Sequence, residues 1–114
     1  MIKQDHQIHI HNAIILELTI RTLERDKKHM DNLKASFAFK AWIEKELENL
    51  SRDLRDVSRT LGMNGMKVLE GTKDIDEYFI AYYVKTKGND KELRYSKVAL
   101  RNHVNEEVKK RLGL

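Results

Sequence analysis

Three of the five histidines, His6, His9 and His11, fall within the six residues HQIHIH. Imidazoles this close together could bind a divalent metal, titrate as a cluster near neutral pH, or border a hydrophobic core. A metal needs three or four converging donors with support behind them. On a helix His6 and His9 share a face while His11 lies about 200° round from His9; on a strand His9 and His11 share a face and His6 points away. Neither geometry collects all three, and His29, His103 or a carboxylate would have to supply the rest. The histidines are therefore read as the polar flank of the first buried element, with no metal and no cofactor expected.

Two other groups have the composition of a site. DIDE brings Asp74, Asp76 and Glu77 into one loop, but carboxylates that move protons or hold a metal need a partner histidine, phosphate loop or nucleophile, and none stands nearby in sequence. No P-loop, dinucleotide fingerprint or HExxH pattern is present, so an enzyme is not expected. Between residues 85 and 103, Lys85, Lys87, Lys91, Arg94, Lys97 and Arg101 stand against Asp90 and Glu92 alone. With Tyr78, Phe79, Tyr82, Tyr83 and Tyr95 alongside, this region has the ingredients of single-strand nucleic-acid binding, in which rings stack on bases and cations follow the backbone. The plainer reading is a strand apolar on both faces and ending in solvated lysines.

The elements that must position these groups can be read from periodicity. In IEKELENLSRDLRDVSRTL, Ile43, Leu47, Leu50, Leu54, Val57 and Leu61 recur at spacings of four and three, which predicts a helix with a narrow apolar seam. The helix can start as early as Asp31 or Asn32, and Gly62 offers a left-handed stop. Phe37, Phe39 and Trp42, with Ile43, widen the apolar surface near its start. They mark either the thickest part of the core or a contact surface for a protein partner. In a parallel homodimer the seam's flanks, Glu44, Glu46 and Asp53 among them, would meet their own kind, as in an ill-matched coiled coil. Arg21, Arg25, Lys27 and Lys28 near the end of the preceding segment match them better, which favours an internal hairpin. Self-association through the remaining aromatic surface stays open.

That preceding segment is ambiguous. Ile8, Ile10, Ile14, Leu16, Leu18 and Ile20 all occupy even positions, as in a strand, yet Ala13, Leu16, Ile20 and Leu23 form one helical stripe and Ile14, Ile15 and Leu18 a second. A helix over about residues 12–28, apolar on two sides, is preferred to a hairpin of strands. MKVLEG and EYFIAYYVKTKG read as two strands ending at Gly71 and Gly88, with TKDID as the loop between them and KELRYS as a third strand or a lead-in. Ser96 caps a last helix carrying Leu100, Val104, Val108 and Leu112, and Tyr95 is placed to staple onto Leu100. The expected fold is one α+β domain over residues 1–114, mainly helical at about 55 to 65%: a long antiparallel helical hairpin, a small antiparallel β-sheet and a C-terminal helix, with an all-α chain as the alternative.

Composition sets the outer limits. The 114 residues suffice for one core, 35% are charged, and the net charge is +4. Without cysteine there is no disulfide, thiolate metal site or cysteine nucleophile. The start lacks the pattern of a secretory signal and no long apolar run suggests a membrane span, so a cytoplasmic location is expected. The charged heptad helix, the glycine turn into MKVLEG, the strand EYFIAYYVKTKG and the closing RYSKVALRNHVNEEVKKRL resemble small uncharacterised proteins of Gram-positive bacteria and their phages, over residues 30–112. The resemblance implies an accessory protein. Together these readings lead to a non-enzymatic protein-interaction or regulatory module, homo-oligomeric or bound to another protein. The alternative is a nucleic-acid binder using Lys85, Lys87, Arg94, Lys97 and Arg101.

Overall fold

The computed structural model describes residues 4–114; residues 1–3, part of the stretch read for a secretory signal, lie outside it. The order is α1 (Gln4–Lys27), α2 (Ser36–Met63), β1 (Lys67–Asp74), β2 (Phe79–Lys85), β3 (Lys91–Ser96) and α3 (Lys97–Arg111). Among the described residues helix accounts for 60% and strand for 19%, an α+β fold that is mainly helical. The all-α alternative falls, because KELRYS pairs as a full third strand.

Residues 8–22 are helical, and the helix begins eight residues before the expected Asn12. The double stripe that made this segment ambiguous reflects its position. Ile10, Ala13, Ile14 and Ile15 pack toward the sheet and α3, while Leu16 and Leu23 pack along α2. A helix with neighbours on two sides must be apolar on two sides, and that mimics the period of a strand. Thr19, fully buried, satisfies its hydroxyl by donating to the Ile15 carbonyl at 2.7 Å.

α2 packs antiparallel on α1 through the expected seam, with Ile43, Leu50 and Leu61 buried and Leu47, Leu54 and Val57 partly so. It begins at Ser36 rather than Asp31 or Asn32, since residues 28–35 form successive turns. Its stop is Gly65, not Gly62. The Met66 N–H donates to the Leu61 carbonyl and the Gly65 N–H to that of Gly62, with Gly65 at φ 73°. This pairing closes the helix and seats Met66 against Leu61 in the core, so the turn itself delivers the chain into the sheet.

The sheet is an antiparallel meander in the order β1-β2-β3. β1 runs past Gly71 to Asp74 because a register shift between Val68 and Thr72, with Gly71 at φ 90°, absorbs the irregularity without ending the pairing. Only residues 75–78 form the connection, held by Asp76, whose Oδ1 accepts from the N–H groups of Tyr78 (2.8 Å) and Phe79 (2.9 Å). Strand alternation puts Ile80, Tyr82 and Val84 on the inner face, packed with Val68, Leu93 and Tyr95 against the helices. Ser96 caps α3 by accepting from the Ala99 N–H at 3.2 Å. Leu100 and Val104 are buried and Val108 partly so, but Leu112 lies beyond the helix and is half exposed.

Candidate functional site

At the turn end of the hairpin the seam runs out of partners. Trp42 is partly covered against the Leu16, Leu23, Ile43 and Leu50 cluster, whereas Phe37 is 88% exposed, Phe39 49% and Leu33 47%. Two expectations for this end need correction. It is not the thickest part of the core, which lies at the sheet end. Nor can Ile43 touch a partner, because it is only 1% exposed. The cause is helical phase. Phe37 lies about 120° round from the seam position of Ile43, and Phe39, though nearer the seam, stands past the end of α1. Ion pairs frame the patch, Lys27 to Glu44 at 2.8 Å and Lys40 to Asp31.

The histidines do not form one cluster. His9 and His11 line a cleft of about 660 Å³ between α1, α2 and α3, joined there by His103, Asp53, Asp56 and Glu106. His11 meets His103 edge-on with ring centroids 4.8 Å apart and stacks on Tyr95 at 6.2 Å. Burial, then the charge of His103, pushes the His11 imidazole below its usual range. Among the described residues no three His, Asp or Glu side chains gather as a metal site. The pairing of His11 with His103, 92 positions later, had no signal in the sequence.

Arg111 closes the same cleft. Its guanidinium donates to Glu46 (3.1 Å), Asp53 (2.9 Å) and Glu107 (2.9 Å), and its side chain is only 13% exposed. Burial opposes the charge, but the carboxylates of Asp53, Glu46 and Glu107 outweigh it and hold the guanidinium above its ordinary range. The acidic flanks of α2 thus find cations within the chain, though only Glu44 does so from α1. From sequence, Arg111 reads as one of three basic residues at a helix C-terminus; nothing local signals the fork to α2.

The basic group of residues 85–103 does not assemble as one surface. Lys97 pairs with Asp74 at 3.5 Å. Lys87 lies over Gly65, where a Cβ would meet its side chain at 2.5 Å. Arg101 is exposed on α3. Lys85 and Arg94 alone share a surface, the outer face of the sheet, because paired residues on neighbouring strands point the same way. Lys67 lies opposite Lys85, and both Lys73 and Arg94 lie opposite Ala81. Lys67 and Lys73, outside the expected region, were invisible until the register was known. DIDE resolves into structural roles: Asp76 holds the turn and Asp74 pairs with Lys97.

No helix is long and apolar enough to cross a membrane among the described residues. No curated protein and no solved structure matches the chain. A model of the YhjD protein family matches residues 1–114, the whole of the sequence, and the chain belongs to that family.

Proposed function

We propose that the protein is a non-enzymatic interaction module with a regulatory, accessory role, cytoplasmic and of the kind carried by Gram-positive bacteria and their phages. It works by presenting the turn end of its helical hairpin to a protein partner, a second copy of the chain included. The observation that supports this is the exposure of Phe37 beside Leu33 and Phe39. Three large apolar side chains on a rigid helix start and its preceding turn form an anchor of the sort that dominates protein interfaces. The flanking pairs Lys27–Glu44 and Lys40–Asp31 supply a charged rim.

The test is affinity capture from the native host with nuclease treatment, comparing the wild type with a Phe37→Ser, Phe39→Ser variant, alongside sedimentation of each. A nuclease-resistant partner, or self-association, should persist at high salt and fall about tenfold or more in the variant. Capture that the double substitution leaves untouched would overturn the reading.

A further inference from the structure

The outer face of the sheet is a surface with its own chemistry, independent of the hairpin turn. All three helices pack on the inner face, so the outer one fronts solvent. Along β2 it presents Phe79, Ala81, Tyr83 and Lys85. Phe79 is 44% exposed, Tyr83 partly so, and Ala81 is fully covered between them. Phe79 and Tyr83 stand four residues, about 13 Å, apart, far enough for each ring to take its own planar group. Lys73 on β1 and Arg94 on β3 lie opposite Ala81 on either side, and Lys67 lies opposite Lys85.

The charges here are not arranged for the stability of the sheet. Lys67 and Lys85 are like charges set directly opposite one another, a pairing that destabilises a sheet. Lys67, Lys73 and Lys85 have no carboxylate within ion-pair distance among the described residues. Glu92, an acid on this face, reaches Arg94 only at 3.9 Å with both side chains well exposed. Lysines on edge strands guard against unwanted pairing, which would account for Lys67 and Lys73 on β1. It does not account for Lys85 on the central strand, nor for two aromatic rings left open beside it. Four cations flanking two accessible rings complement a chain with planar apolar faces and regularly spaced anionic links.

We infer that this face binds single-stranded nucleic acid, with Phe79 and Tyr83 stacking on bases and Lys67, Lys73, Lys85 and Arg94 contacting the phosphates. In a duplex the base faces are occupied by their neighbours, so the rings would have nothing to stack on. A purely acidic peptide such as polyglutamate could use the cations but has no planar ring to stack on the aromatics.

The experiment is fluorescence anisotropy with labelled oligothymidine and oligouridine of about 15 nucleotides, against a duplex of the same length and a polyglutamate competitor, using the full chain. Affinity for the single strands should fall with salt at a log–log slope of about −2 to −3, as for three or four phosphates. Phe79→Ala or Tyr83→Ala should each weaken binding at least about fivefold, and Tyr83→Phe should restore it. Lys73→Glu with Arg94→Glu should abolish it, while Arg55→Glu with Arg59→Glu, the same charge change on exposed positions of α2, should leave most of it. Circular dichroism confirms that each variant is folded. Equal affinity for the duplex, equal competition by polyglutamate, insensitivity to the aromatic substitutions, equal loss in the α2 control, or no binding at all would each overturn the inference.

Discussion

At the sheet end of the α1–α2 hairpin, Ile10, Ile14 and Leu61 are almost completely buried, whereas at the turn end Leu33, Phe37 and Phe39 stand open to solvent. The helices are equally regular at both ends. What differs is the presence of a third layer: α3 and the sheet close over the first end, and none of the described residues closes over the second. Apolar side chains in a helix are thus not by themselves a core. They become one where the chain returns to cover them, and where it does not they are available to something else.

The contrast is broken most directly at Leu61. Leu61→Ala removes a side chain shared by α1, the sheet and the helix-closing turn, and should cost about 3 to 4 kcal/mol in urea unfolding. A loss below about 1 kcal/mol would mean that the sheet end is not the stabilising one. Arg111→Ala should cost somewhat less, about 2 to 3 kcal/mol, because Glu46 and Glu107 are left poorly solvated while the more exposed Asp53 recovers water. Replacing Glu46 and Glu107 by glutamine in the Arg111→Ala background should recover part of that loss. If it does not, α3 is held by its apolar face alone.

A smaller effect follows from His11. Its folded value lies below the ordinary 6.5, so as pH falls through that range the unfolded chain takes up a proton before the folded chain does. Stability from neutral His11 is therefore present above about 6.5 and declines as pH drops toward the folded value. Thermal unfolding at about pH 7.5 and about pH 5.5 should show a lower midpoint at the acid end. His11→Gln should reduce the difference, and an unchanged difference would place the titration elsewhere. Smallest of all, Phe37→Ser should alter stability by no more than about 0.5 kcal/mol, so that any loss of capture is a loss of contact and not of fold.

The seam of α2 could be read from sequence because a helix with one covered side leaves a single stripe at spacings of three and four. Two structured sides blur that stripe, and α1 has α2 on one side with the sheet and α3 on the other. Sequence alone places the glycine stop three residues early because Gly62 and Gly65 are equally permissive; only the Met66 and Leu61 contact decides between them. Phe37 and Phe39 could be seen as a feature, but their exposure depended on where α1 ended. The outer sheet face was half visible in Lys85 and Arg94. Its other cations enter through strand register, which no local pattern encodes.

The meander and the hairpin join elements that are consecutive along the chain, and the packing of α3 on α1 is the main departure from that order. The consequence is kinetic. Each consecutive unit can form by closing a short loop, whereas bringing His103 to His11 closes a span of roughly 90 residues, with a larger entropic barrier. The expected sequence is an early hairpin and an early meander that meet when α3 docks. The cleft and its histidines are then the youngest structure in the molecule, and the amides of α3 should be the first of the helical ones to exchange with solvent in the native state.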